Sequence, residues 1–204
     1  MPLYALCPAR MRTLVLCLLS LLFYAWGSAS HAALIVGLGC VVFVVGESLH
    51  DQLRKLPYAL CVSLCVAVLC YFKYSILLLR TAADLLPSGT LSFLLLRRAD
   101  SLLLSLQIPL GVSFFTFEFV HYLTDIYQGK IVRPSPQPPL RKRLADFFLF
   151  ALFFPTLLAG PIKRYQQFVK DSFVPRREHL AQGLWRILIG LMKKVLIADS
   201  LATI

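Results

Sequence analysis

Charged residues are scarce in this sequence and are missing altogether from long stretches of it. Only 15% of the 204 residues are Asp, Glu, Lys or Arg, whereas 58% are hydrophobic. Soluble domains usually contain about 25% charged and about 45–50% apolar residues. No charged residue occurs at positions 13–46, a stretch longer than the roughly 20 residues of one membrane-spanning helix. The composition predicts an all-α, polytopic bundle of transmembrane helices, with residues 1–204 in a single membrane domain and no soluble domain.

The motifs of many soluble enzymes and metal sites are also absent. The sequence contains no GxSxG, no P-loop, no GxGxxG, no HExxH and no CxxC pair among its six cysteines. We therefore expect no metal site and no bound cofactor. The histidines His31, His50 and His179 lie in a turn, in a charged loop and beside the last helix, and we expect them to be ordinary surface residues.

Positive charge is in excess, with 21 Lys and Arg against 10 Asp and Glu. These bases lie in short segments between apolar runs, where the positive-inside rule and anionic lipid explain them. The pattern excludes nucleic acid as the expected partner and favours the lipid bilayer. Residues 130–143 and 163–177 hold five bases each, so we expect both loops on the cytoplasmic face.

The spacing of the apolar runs predicts the order of the helices. Residues 13–46 fit two helices with a turn at 27–31. The further predicted elements are a helix at 56–72, a loop with short interfacial helices at 82–100, a helix at 101–127 broken near Pro109 and Gly111, and a last helix at 180–204 that either spans the membrane or lies in its interface.

The N-terminal region admits a second interpretation. Arg10 and Arg12 precede the apolar residues 13–24, and small residues follow at 28–30, which is also the pattern of a secretory signal peptide. The apolar sequence resumes at Ala32, which favours a retained pair of helices. Both interpretations stay open on these residues alone.

Residues 147–162 are apolar, but they number only sixteen and are interrupted by Pro155, Gly160 and Pro161. Such a stretch is short for a membrane span and suits a broken or re-entrant element, whose irregular backbone must face protein or water. Because a basic loop flanks it on each side, we expect both of its ends on one face. Arg164, two residues after it, completes the candidate path element.

Four polar residues share one face of an otherwise apolar predicted helix. Glu118, His121, Tyr122 and Asp125 are spaced i, i+3, i+4 and i+7. Ionisable groups at membrane depth cost roughly 2.5–3.5 kcal/mol each, so they face a cavity or a partner. One interpretation is a set of metal ligands or a proton relay, and the other is a polar stripe packed inside the bundle near the helix end. Arg164 is the base that sequence order suggests as a partner of Asp125.

Six short motifs follow one another along the chain. They are LFYAWG at 22–27, YFKY at 71–74, PLGVSFFTF at 109–117, YLTDIYQG at 122–129, FPTLLAGPI at 154–162 followed by RY at 164–165, and GLMKKVLIAD at 190–199. In this order they resemble the membrane-bound O-acyltransferase (MBOAT) family, in particular its alginate O-acetylation type, over nearly the whole chain. The resemblance lowers the weight of the signal-peptide interpretation.

The resemblance implies transfer of an acyl group, in particular acetyl, to hydroxyls of an extracytoplasmic polysaccharide in the bacterial inner membrane. It also implies an acyl donor and partners among other cell-envelope acetylation proteins. The family's catalytic histidines lie in FWRRW and GLWHG stretches, neither of which occurs in these 204 residues. We therefore expect an N-terminal portion of the family's membrane domain, inactive alone, and assign no catalytic residue here. The family usually has a further apolar segment before the FYAW motif as well.

Two alternatives to polysaccharide O-acetylation remain. One is D-alanyl transfer to teichoic acid, which belongs to the same kind of chemistry. The other is a non-enzymatic polytopic transporter or scaffold, favoured by the intramembrane polar stripe and the missing histidine-bearing stretches.

Overall fold

The computed structural model describes residues 9–51, 53–86, 89–157, 160, 163–170 and 177–201, and within them every regular element is helical. The chain divides into two compact units. One comprises Cys7–Lys170, and the other comprises Met1–Leu6 with Asp171–Ile204. An all-α fold is therefore confirmed for the described residues.

The described ranges contain eleven α-helices and two π-helical turns. In chain order they are α1 Ala9–Gly27, α2 Ala29–Asp51, α3 Lys55–Leu69, a π-helical turn Cys70–Tyr74, α4 Ser75–Leu85, α5 Thr90–Ser105, α6 Val112–Tyr127, α7 Leu140–Leu152, α8 Phe154–Leu157, α9 Tyr165–Lys170, α10 Arg177–Met192, a π-helical turn Lys193–Ala198 and α11 Asp199–Leu201.

The predicted turn between the first two helices is confirmed at Ser28. The hydroxyl of Ser28 accepts a hydrogen bond from the backbone N–H of His31 at 3.4 Å, which is the contact of an N-cap residue. The Ser28 N–H still donates to the carbonyl of Tyr24 at 3.3 Å. One small polar residue therefore ends α1 and begins α2.

Helix α6 lies at the centre of the larger unit, in contact with α2, α3 and α7. Glycines on α2 allow the close approach. A Cβ at Gly46 would lie 2.9 Å from the ring of Tyr122, and one at Gly39 would lie 3.0 Å from the ring of Phe148. The predicted break before α6 is also confirmed, because Gly111 has φ +70° and precedes its first residue.

Among the described residues, two helices are long and apolar enough to cross a membrane, Ala29–His50 and the continuous stretch Lys55–Leu85. The second is almost entirely unburied, and large apolar side chains cover much of its surface. Cys61 and Cys65 of α3 are buried, and both are free thiols. An apolar exterior of this kind is what a lipid environment requires.

The loop predicted at 82–100 is wrong for most of that stretch, which is helical. Helix α4 continues to Leu85, and α5 begins at Thr90 and runs antiparallel to it. Ala83 on α4 and Ala99 on α5 are buried, so small residues let the two helices approach. Gly89 directly precedes α5, and Arg97 and Arg98 lie exposed on the surface of that helix.

In the smaller unit, α10 and the π-helical turn after it form the predicted last helix, which begins at Arg177. The described side chains from position 181 onward are almost all exposed, apolar residues such as Trp185 and Leu188 included.

Candidate functional site

The structure buries three of the four polar residues that the sequence placed on one face of α6. Glu118, Tyr122 and Asp125 are buried, and His121 is half-buried. Glu118 and Asp125 lie seven residues apart, about 10 Å along the helix axis. They contact different partners, so the face divides into two separate clusters.

The first cluster is an ion pair between Glu118 and Lys163, with carboxylate oxygen and Nζ 3.4 Å apart. The side chains are only 6% and 10% exposed, respectively. Lys163 Nζ also donates a hydrogen bond of 2.6 Å to the carbonyl of Phe150. Helix α7 ends two residues later, so this lysine satisfies a carbonyl that the end of the helix leaves without an intrahelical partner.

Three aromatic rings surround the same ammonium group. The Nζ of Lys163 lies 5.2 Å from the ring centroid of Phe150, 5.4 Å from that of Phe153 and 5.1 Å from that of Phe168. Each distance is within cation–π range. Lys163 therefore joins α6, the end of α7 and α9 through one cation.

Sequence reasoning missed Lys163, which it counted among the bases of a cytoplasmic loop. The signal that could have found it is position: Lys163 directly follows the apolar broken stretch, and Glu118 is an acid on an apolar helix that needs a partner. The neighbouring Arg164, which the sequence suggested as a partner of Asp125, is exposed. The predicted pairing of Asp125 with Arg164 is therefore wrong. The backbone turns the side chain of Lys163 inward, whereas that of Arg164 stays exposed.

The second cluster is at the C-terminal end of α6. Asp125 lies 3.6 Å from His121 Nε2 and 3.7 Å from Lys130 Nζ, and the lysine side chain is 61% exposed. Nδ1 of His121 is buried and has no hydrogen-bond partner among the described residues. Gly129, at φ +69°, turns the chain out of the helix. Asp125 thus lies where the buried helix face meets the surface.

A third cluster was not predicted. The carboxylate of Glu47, near the end of α2, accepts hydrogen bonds from Arg133 at 2.9 Å and from Arg143. Arg133 also donates to the Glu47 carbonyl at 3.0 Å. All three side chains are about one-fifth exposed. Arg133 and Arg143, both predicted to lie in the loop at 130–143, therefore attach the segment before α7 to α2.

The candidate path element is broken as its sequence predicts. Helix α7 ends at Leu152, and Pro155 lies exposed in the single turn α8. The N–H of Phe154 donates to Ser20 Oγ of α1 at 3.4 Å. Gly160 packs so closely that a Cβ there would lie 2.4 Å from Thr156 Cβ. Pro161 lies outside the described residues.

After the break the chain returns to the end of the unit where α7 begins. The ring of Tyr165 on α9 lies 4.9 Å from that of Tyr122. The side-chain amide of Gln166 then donates to the carbonyl of Lys130. Lys130 belongs to the loop whose Arg133 shares Glu47 with Arg143 of α7. The two loops that flank the broken stretch therefore meet at one end of the unit.

The geometry limits what these clusters can do. Within the described residues, no group of three or more His, Cys, Asp or Glu side chains could hold a metal ion. The Glu118 carboxylate is ion-paired with Lys163, while Asp125 contacts His121 and Lys130. The arrangement supports an irregular segment through an apolar interior and leaves one His–Asp contact near the surface.

Known proteins resemble the chain over almost its full length. A protein of Azotobacter vinelandii named "Probable alginate O-acetylase AlgI" is 34% identical over 99% of this chain and 39% of its own length. The peptidoglycan O-acetyltransferase of Helicobacter pylori is 30% identical over 92% of the chain and 38% of its own length. A shorter match, 35% identical over 46% of the chain and 23% of the relative, is with the teichoic acid D-alanyltransferase of Bacillus subtilis.

No family model matches the chain, and no solved structure matches it. The chain spans about two fifths of the length of the alginate O-acetylases that it matches. The helical fold, the two helices able to span a membrane and these matches define a membrane protein of the acyltransferase class. Within that class, the chain belongs to the membrane-bound O-acyltransferases, as its motifs predict.

Proposed function

We propose that the chain serves O-acyl transfer to an extracytoplasmic polysaccharide, with acetyl as the acyl group, as part of a polytopic helical bundle in the bacterial inner membrane. The match over 99% of the chain to an alginate O-acetylase carries the proposal. The match to a peptidoglycan O-acetyltransferase supports it, since both names describe acetyl transfer to a cell-envelope polysaccharide. Other cell-envelope acetylation proteins are the proposed partners.

In this proposal the broken segment lines the route by which the acyl group crosses the membrane. Irregular backbone is tolerated at membrane depth only where it faces protein or water. Lys163 supports such a segment, because it satisfies the Phe150 carbonyl and neutralises Glu118. The role proposed for the residues of this chain is to line the route.

The topology of this proposal can be tested by cysteine labelling in a cysteine-free background. Gln137 is exposed on the loop before α7, Gln167 is exposed on α9 after the broken stretch, and Ser30 is exposed in the first turn of α2. With a reagent that does not cross membranes, Gln137→Cys and Gln167→Cys should react from the cytoplasmic side and Ser30→Cys from the other side. Labelling of the two loops from opposite sides would exclude the re-entrant segment.

The activity is tested in cells that lack the gene encoding the chain. We expect the ester-linked acetate of the envelope polysaccharide to fall and to return when the intact gene is restored. The second candidate, D-alanyl transfer to teichoic acid, rests on the shorter match to the B. subtilis protein. Loss of ester-linked D-alanine with unchanged acetate would favour it. Unchanged levels of both esters would overturn both candidates.

A further inference from the structure

A groove of about 1280 Å³ follows the seam between α1 and α7. Most of its wall is apolar, with Leu14 and Leu21 on one side and Phe148 and Leu152 on the other. None of the three polar clusters described above lies in it. The groove is therefore a separate feature of the larger unit.

The groove is polar at one end only. Arg141 and Lys142, at the start of α7, form its rim beside Leu14, near the start of α1. From Lys142 to Leu152 the helix rises about 15 Å. This is the depth of one leaflet of a bilayer whose hydrocarbon core is about 30 Å thick. The groove thus has the polarity and the length of a single lipid molecule.

The rim favours a negatively charged head group. Arg141 and Lys142 are exposed and belong to none of the ion pairs described above, whereas the adjacent Arg143 is bound to Glu47. Asp146 is the acid among the lining residues. Two bases against one acid leave a surplus positive charge at the rim.

The geometry points to a binding site for one anionic phospholipid, with its phosphate on Arg141 and Lys142 and an acyl chain along the groove between α1 and α7. A zwitterionic lipid would fill the apolar part equally well and would gain less at the rim. A bound lipid at this place would seal the outer side of α7, whose other side contacts α6.

The test is lipid binding by the purified, intact protein in detergent, followed by native mass spectrometry with added phosphatidylglycerol or phosphatidylcholine. We expect a preference for phosphatidylglycerol. Each rim base contributes a factor of about five to the binding of an anionic lipid. Arg141→Gln/Lys142→Gln should therefore weaken phosphatidylglycerol binding by about 25-fold and weaken phosphatidylcholine binding much less.

The matched control is Arg97→Gln/Arg98→Gln, which removes two exposed bases from α5, outside the groove. It should bind both lipids like the wild type. Ala145→Phe narrows the groove without changing its charge and should weaken both lipids. Equal binding of the two lipids by the wild type, equal losses in the two double variants, or no effect of Ala145→Phe would each overturn the proposal.

Discussion

Helices α5 and α6 are neighbours in the chain and have sixteen residues each, yet their surroundings are opposite. Helix α6 is enclosed by three other helices, while α5 packs against α4 and exposes most of its leucines. Each contributes to an acid–base pair with a distant part of the chain, Glu118–Lys163 for α6 and Arg80–Asp100 for α5. In the first pair the side chains are 6% and 10% exposed, and in the second 48% and 65%.

The difference shows that an ion pair has to be judged by where it lies. An exposed pair contributes about 0–1 kcal/mol, because water solvates both partners when it opens. A buried pair adds little net stability, but removing one partner leaves an uncompensated charge. The buried pair is therefore the one that a substitution disturbs most, although the Arg80–Asp100 distance of 3.2 Å is slightly shorter.

The largest expected effect is that of Lys163→Met. Glu118 loses its counter-ion and the Phe150 carbonyl loses its donor, so we expect a loss of about 3–5 kcal/mol in the free energy of unfolding. Thermal unfolding of the detergent-purified protein, together with its folded yield, measures this. The double variant Glu118→Leu/Lys163→Met should recover part of the loss, because no buried charge remains. Arg164→Gln, next to it and exposed, serves as the control and should behave like the wild type.

Glu47→Gln should have an intermediate effect. It leaves Arg133 and Arg143 facing each other without a carboxylate, and all three side chains are about one-fifth exposed. Hydrogen bonds to charged groups contribute about 1.5–3 kcal/mol, so a loss in that range is expected in the same unfolding measurement. If Glu47→Gln lowers the free energy of unfolding by less than Arg80→Gln does, Glu47 does not hold the loop before α7 to α2.

Asp125→Leu should cost less, about 1 kcal/mol, because its contacts are 3.6 and 3.7 Å long and its lysine partner is mostly exposed. Polysaccharide acetylation or folded yield in cells carrying the intact gene should fall modestly, whereas His50→Ala and His179→Ala should change neither. If Asp125→Leu gives wild-type levels of both, the contacts of Asp125 with His121 and Lys130 have no role.

The smallest effect is expected for Arg80→Gln on the α4–α5 hairpin. The pair with Asp100 is exposed, so the free energy of unfolding should change by less than about 1 kcal/mol. If Arg80→Gln lowers the free energy of unfolding by more than Glu47→Gln does, the hairpin is covered in the intact protein. The difference in burial between α5 and α6 is then smaller than the structure shows.

Local patterns predicted much of the fold. Ser28 between two apolar runs, Gly111 before α6 and Pro155 in the broken stretch each act on their own neighbours, so sequence alone indicates them. Polar side chains at helical spacing on α6 likewise predicted a buried face.

Long-range pairings could not be predicted in this way. Glu118 meets Lys163 45 positions later, and Glu47 meets bases 86 and 96 positions away. Whether Lys163 or Arg164 turns inward depends on the direction of the backbone after the broken stretch. The number of charges in a loop does not indicate that direction. The α4–α5 hairpin was missed because its turn and its surface arginines resemble a loop.

The helix from Lys55 to Leu85 is too long for a membrane of ordinary thickness. Its 31 residues rise about 46 Å, against a hydrocarbon core of about 30 Å. Tilting it to fit would require an angle of about 50°, beyond the roughly 0–40° seen for membrane helices. If this helix crosses a membrane, about ten of its residues therefore extend beyond the hydrocarbon core. If Lys55 marks one boundary of that core, these residues are α4, and α5 lies beside them at the water interface, where the Arg80–Asp100 pair is solvated and the leucines around it reach the acyl chains.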